Sequence, residues 1–309
     1  MTTQSIPEGT ATPKSPIKIL GFALLFISLV LVFTLFKLPQ LRITSLLQGY
    51  IQLAFDPYGV YITDRGRELS LMRGLQYTLD HPTFELADQT RIELDDFVIR
   101  PKFIPLLSGK ISVNASLHQG ASSIIFDGAG RADKIDASLT LDRVELGKFG
   151  VFSYLANLKG NGALSGTINI LGALSDPTSL NGLIDLKLKN LKLDEQNLMG
   201  FQLPTLLVTE GTILIEIQNG KLLMKKVQLG KGADDLKLDL SGDIVLNRNL
   251  NSSTLNLRTG FSLSDRVKQS LALLDSIIGP AKKADGSYAY KLTGTFSSPF
   301  PIPDSSQVK

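Results

Sequence analysis

The sequence predicts a mainly β fold: an N-terminal transmembrane helix, then an extended, antiparallel, twisted sheet with a few short capping helices, shaped as a groove or a sandwich. Three observations carry that expectation. Residues 19–36 contain no charged side chain. From Tyr58 onward apolar and polar residues alternate at period two in about a dozen runs, as strands with one greasy face do. Asn219-Gly220 separates two such runs, and this dipeptide favours the type I′ turn of an antiparallel hairpin because both residues accept positive φ.

Composition narrows the chemistry. The chain has 309 residues, 43% hydrophobic and 20% charged, which excludes wholesale disorder. Thirty-two Lys and Arg against 29 Asp and Glu leave a formal charge of +3, with basic runs no longer than pairs such as Lys225-Lys226. No phosphate-binding stripe is formed, so nucleic acid is not an expected partner. The absence of cysteine removes disulfides, thiolate metal sites and thiol nucleophiles, and His81 and His118 are the only histidines.

The elements follow in order. Residues 1–18, with Pro7, Pro13 and Pro16 among Ser and Thr, have the composition of a disordered tail, placed here in the cytoplasm. Residues 19–36, bracketed by Lys18 and Lys37, span about 27 Å as a helix, close to the ~30 Å hydrocarbon core. The sequence Lys37-Leu38-Pro39-Gln40 lacks the small-x-small pattern of a signal-peptide cleavage site, which favours an uncleaved anchor. Within 37–57, Leu46, Leu47, Tyr50, Ile51 and Ala54 fall at helical spacing, as in a membrane-proximal amphipathic helix or one packed on the domain. Residues 58–303 then form a periplasmic β domain, ending in a short tail at 304–309.

The clearest strand holds Leu236, Leu238, Leu240, Ile244 and Leu246, with Gly242 in the same register. Similar runs start at Ile111, Ile135, Leu164 and Leu255, and a last one holds Tyr288, Tyr290, Leu292 and Phe296. Apolar positions shift by one around Asn190 and across Asp95-Asp96, so bulges are expected at both places. Ser264 is the N-cap of the best helix, which Gly279-Pro280 stops, and 101–107 and 147–155 are shorter helical candidates. Such a sheet would run on the order of 60 Å along its hydrogen-bonding direction. Its apolar face either folds on itself as a filled core or stays open as a groove able to hold an acyl chain, lined by Leu236, Leu238, Leu240, Ile244, Leu246, Tyr288, Tyr290, Leu292 and Phe296. An outer-membrane barrel shares the alternation but does not normally carry an apolar N-terminal helix.

Gly160, Gly162, Gly166, Thr167 and Gly172, followed by Asp176-Pro177, Ser179 and Gly182, have a recognisable cadence. With Gly200-Phe201-Gln202-Leu203-Pro204, the run from Ile215 to Gly220, Gln228-Leu229-Gly230 and the closing Gly294-Thr295-Phe296 with Pro299 and Pro301, the chain resembles inner-membrane protein N of the bacterial type II secretion system. The glycine–threonine strands also resemble those of AsmA-type envelope proteins. The first resemblance implies a single-pass inner-membrane accessory with its bulk in the periplasm, whose partners are the membrane and other type II secretion subunits. The second implies phospholipid handling. Neither implies an enzyme, a cofactor or a metal, and neither supplies a catalytic residue.

The remaining reactive residue types point the same way. Pro82 should hold His81 in extended backbone, and His118 has no evident carboxylate or serine companion in the sequence. Neighbours in a strand face opposite ways, so Asp95 and Asp96 should not share a substrate. Asp234-Asp235 reads as a solvated turn without the oxygen spacing of a calcium loop. The glycines of 120–130 lack the helix and lysine of a phosphate loop and read as turns.

Overall fold

The computed structural model describes residues 40–70, 75–87, 90–102, 104–131, 133–152, 158–173, 175–198, 201–270 and 278–304, together with Phe26. The expected membrane span at 19–36 lies outside these residues apart from Phe26. Among the described residues no helix is long and apolar enough to cross a membrane. The chain divides into two units, residues 1–50 and 51–309. Helix α1 (Gln40–Phe55) crosses that division, within the segment where helical spacing was found. Leu46 and Tyr50 on it are exposed.

In the second unit the fold is mainly β and antiparallel. Gln52 on the last turn of α1 donates to Val60 O and accepts from the Ile62 amide, which fixes where strand β1 (Tyr61–Thr63) begins. β2 (Gly66–Ser70) and β3 (Gln76–Asp80) follow, and β4 (Thr83–Glu85) and β5 (Arg91–Glu93) join β1 in a three-stranded sheet. The chain then builds β6 (Asp96–Lys102), β7 (Ile111–Gln119), β8 (Ser122–Arg131), β9 (Lys134–Glu145), β10 (Gly160–Ala173) and β11 (Asp176–Leu193). A small hairpin, β12 (Gln196–Leu198) with β13 (Phe201–Leu203), interrupts the series before β14 (Leu206–Gln218) and β15 (Lys221–Leu229). β16 (Leu236–Val245), β17 (Thr254–Leu263), β18 (Tyr288–Gly294) and β19 (Pro299–Pro303) complete it. Fourteen of these strands form one sheet in the order β19-β18-β17-β16-β15-β14-β11-β10-β9-β8-β7-β6-β3-β2, about 62 Å long at ~4.8 Å per strand.

The Asn219-Gly220 turn joins β14 to β15 with φ of 48° and 70°. Gly220 is indispensable there on two counts, since a Cβ would also lie 2.5 Å from the Thr178 Cα. Of the two expected bulges, the one at Asn190 is present: Asn190 has φ 51° and the β10 register steps between Asn161 and Ala163 opposite it. β14 changes face in step, so Leu191 and Leu193 still meet Val208 and Leu206. The break at Asp95-Asp96 is not a bulge but a change of sheet. The chain leaves the small sheet after Glu93, buries Leu94 beneath Pro82 through an N–H···O bond of 2.9 Å, and enters the large sheet at Asp96.

Two of the three helical candidates start later than expected, and residues 271–277 of the third lie outside the described residues. Pro101 and Lys102 finish β6, and only Ile104–Ser108 turns as a 3-10 helix. Of 147–155, residues 147–150 are turns, Val151 and Phe152 are helical, and the remainder lie outside the described residues. Helix α2 (Asp265–Ser270) starts where expected, with the Val267 amide donating to Ser264 Oγ, and buries Val267 completely against Leu206, Leu193, Leu203 and Leu263. It covers one end of the strands.

Candidate functional site

Cross-strand register places side chains on a common face, so the pairings trace what each face carries. One row runs Phe97, Leu117, Ile124, Leu141, Gly166, Leu186, Ile213, Val227, Leu240, Thr259 and Tyr290, one residue from each of eleven consecutive strands of the sheet. Eight of the eleven are apolar side chains and one is glycine, with Thr259 and Tyr290 completing the row. The opposite face carries Asp96, His118, Ser123 and Asp142 at the neighbouring positions of the first four. The apolar face is not sealed. Phe97, Leu141 and Val227 are buried, whereas Ile124, Leu186, Ile213 and Leu240 keep partial solvent contact.

The sequence-derived lining falls on this face near its C-terminal edge. Leu236, Leu238, Leu240 and Ile244 lie on β16, and Tyr288, Tyr290 and Leu292 on β18, with β17 between them. Ile244 packs with Leu255 and Leu257 in a buried cluster that Leu240, Leu246 and Leu292 border. Leu246 stands one residue beyond β16, its amide bonded to Gly220 O. Phe296 does not join the row: β18 ends at Gly294, and Phe296 lies in the following turn, 46% exposed, bonded through its amide to Ser253 O. Gly294, at φ 89°, breaks the alternation that the sequence pattern carries through it. Phe261, outside the sequence-derived lining, stacks on Tyr288 at 5.2 Å and on Tyr290 at 6.4 Å, which makes an aromatic floor.

A second part of the face is one the sequence reading passed over. The glycines of 120–130 are not all turn residues: Ser122–Arg131 is strand β8, and only Gly120 occupies a turn. Gly128 and Gly130 lie on the apolar face, where the missing side chains leave room. The Phe126 ring fills it at Gly128, since a Cβ there would meet that ring at 2.6 Å. Beside it is an open depression of about 410 Å³, lined chiefly by Ile111, Val113, Phe126, Gly128, Ile135 and Ala137. The alternation Ile124, Phe126, Gly128, Gly130 was available in the sequence, but glycine was read as a turn former rather than as space.

The polar groups are held as structure. Asp234 and Asp235 are buried rather than solvated. Asp234 accepts from Thr209 N–H, Thr209 Oγ–H and Lys231 N–H, each at 2.9 Å. Asp235 accepts from Leu207 N–H at 3.0 Å, Ser264 Oγ–H at 2.7 Å and the Arg266 guanidinium. Burial alone would raise both carboxyls, but these donors outweigh it and hold them below the ordinary value of 3.8. His118 does have a carboxylate companion, since its Nδ1 lies 2.7 Å from Asp96 Oδ1 across the β6–β7 pair. Asp95 turns away to accept from the Gly120 amide, so the two aspartates do not converge. His81 has φ 45° rather than extended backbone, and its ring meets Asp80 at 2.9 Å. Its amide reaches Asp95 O, which overrides the preference set by Pro82. Ser123 is the cross-strand neighbour of His118, but no hydrogen bond joins them among the described residues. Among those residues no three His, Asp or Glu side chains converge as a metal set.

Comparison with protein-family models, curated proteins and solved structures finds no match.

Proposed function

We propose that this chain works without enzymatic chemistry, as a carrier or scaffold whose single-layered sheet forms an AsmA-like groove for the acyl chains of phospholipid. One observation carries the reading: an apolar face crosses the sheet from β6 to β18 and keeps partial solvent contact along its middle. By strand spacing that face runs about 48 Å across the sheet. Acyl chains fit it better than a peptide, because interior strands offer no free backbone donors and acceptors. The direct test places a photo-crosslinking residue at Ile213 and, as a control, at Thr212 on the polar face. Phospholipid attached at 213 and not at 212 supports the groove; equal labelling or none defeats it.

A second reading, accessory function in type II secretion from the inner membrane, rests on the motif resemblance and the apolar stretch 19–36. The motif residues between Gly160 and Gly182 fall on β10 and β11, the two longest strands of the sheet, so the resemblance tracks the centre of the domain. Deleting the gene should strand exoproteins in the periplasm with envelope permeability unchanged. Normal secretion in the deletion strain would remove this reading.

A further inference from the structure

The connection from β6 to β7 is a short apolar loop beyond the strand ends. Its 3-10 turn, Ile104–Ser108, has the sequence Ile-Pro-Leu-Leu-Ser, and Lys110 follows it. Ile104 is 83% exposed, the highest value for a large apolar side chain among the described residues, and Ile111, the first residue of β7, is 71% exposed. Single exposed apolar residues are ordinary, but two within one loop form a tip. The loop closes on itself: Pro105 O accepts from the Lys110 amide at 3.0 Å and from Ser108 Oγ–H at 2.8 Å. Pro105 brings no amide proton of its own. Gly109, at φ 69°, turns the chain back toward the sheet. Gly109 and Ile111 also line the 410 Å³ apolar depression over β7, β8 and β9, so the loop is the lip of that depression.

We propose that this loop inserts into the surface of a lipid bilayer, with Ile104 and Ile111 below the headgroups. The inference rests on the groove reading for its purpose, since it brings a membrane to the lip of the apolar face. Three observations favour a bilayer over a protein partner. The two isoleucines present far less than the roughly 800 Å² per partner that a specific protein interface buries, whereas a bilayer takes up apolar side chains one at a time. A loop that enters lipid must carry few unpaired backbone groups; here one carbonyl takes two donors and Pro105 has none to lose. Lys110 is exposed beside the tip, where its stem reaches along apolar surface while its ammonium stays among phosphates. A peptide segment would find no strand edge, because β7 is paired on both sides.

The test uses the full-length chain, which has no cysteine, held in a phosphatidylcholine nanodisc. Ser108→Cys carries an environment-sensitive fluorophore at the tip, and Ser241→Cys, exposed on β16, carries it as a control. Spin-labelled phosphatidylcholine, which quenches only on contact, is placed either in the chain's own disc or in added dioleoylphosphatidylcholine vesicles. The probe at 108 should be quenched in at least one placement and the probe at 241 in neither. Adding Ile104→Ser and Ile111→Ser should abolish the quenching, because two buried isoleucines account for on the order of a hundred-fold in partitioning. Both side chains are exposed, so their loss should leave the fold intact. Aqueous emission at 108 in both placements, quenching that survives the double variant, or equal quenching at 241 would each overturn the insertion. So would a blue-shifted probe at 108 that no lipid quenches, which would mean that protein covers the tip. Lipid crosslinking at 213 without quenching at 108 would remove the insertion and keep the groove; quenching without crosslinking would do the reverse.

Discussion

Replacing Asp235 should detach helix α2 from the sheet. The carboxylate joins three elements: Leu207 at the start of β14, Ser264 as the N-cap of α2, and Arg266 within it. In Asp235→Ala the Leu207 amide and the Ser264 hydroxyl lose their acceptor, and Arg266 loses its counter-charge. Hydrogen bonds to a charged group contribute roughly 1.5–3 kcal/mol each. Arg266 is half exposed at 52%, so its share is screened and small. The two remaining bonds together come to about 3–6 kcal/mol, and much of it should be local, because Val267 is what α2 contributes to the interior. Hydrogen exchange of the full-length chain in detergent should show lost protection at 205–209 and 264–270, with β8 and β9 unchanged. The sign of the pH dependence follows from the depressed carboxyl. Its stabilisation is complete above the unfolded value near 3.8 and is lost as pH falls through the lower folded value. The wild-type advantage over Asp235→Asn should therefore persist at pH 6 and shrink below about pH 4. Unchanged exchange in Asp235→Ala at neutral pH, or a gap that widens on acidification, would refute the latch.

Gly242→Ala should cost at least ~2 kcal/mol in urea unfolding. Gly242 sits at φ 110° and a Cβ there would lie 2.2 Å from Asn256 O, so a neutral result would mean that β16 and β17 can separate at that point. The edge strand β19 carries Pro299, Pro301 and Pro303 at period two, while the even positions bond inward, as Asp304 N–H does to Ala289 O. Its outward face thus lacks three donors, and Pro299→Thr, Pro301→Thr, Pro303→Thr should raise self-association in light scattering relative to the wild type. An unchanged mass at matched concentration would show that the prolines do not guard the edge. His118→Ala, which unpairs Asp96 on the exposed polar face, should shift stability by less than about 1 kcal/mol. A larger loss in thermal unfolding would give that pair a role the geometry does not.

How much of this was legible depends on what each signal reports. The period-two runs at 236–246 and 135–141 describe local backbone faithfully because one face meets apolar neighbours and the other meets water, and Asn219-Gly220 specifies its turn for steric reasons internal to two residues. What escaped depended on partners distant in sequence. His118 gains Asp96, 22 residues away, only once β6 and β7 pair. Asp234 and Asp235 look like turn residues until β14 and α2 supply donors. The break at Asp95 could be read as a bulge or as a change of sheet, since both shift the apolar register by one. β8 was hidden because glycine marks either a turn or a place where a side chain must be absent, and only the Phe126 ring over Gly128 decides between them.

Whether the apolar face is open or filled can be settled by comparing two truncations that a filled core would make equivalent. Leu257 is 7% exposed and belongs to the cluster with Ile244 and Leu255. Its loss as Leu257→Ala should leave a cavity at a cost of about 3 kcal/mol. Ile213 stands on the same face, between Leu186 and Val227, but retains partial solvent contact. Water can follow the shortened side chain there, so Ile213→Ala removes some transfer energy without leaving a void and should cost about 1 kcal/mol. Lipid changes the comparison. With acyl chains over the face, Ile213 gains apolar neighbours and its truncation should approach the cost at Leu257, while Leu257→Ala stays where it was. Urea unfolding of both variants with and without added phospholipid reads all four values. Equal costs in the absence of lipid would mean that something within the chain already covers the face, and there would then be no groove for a lipid to enter.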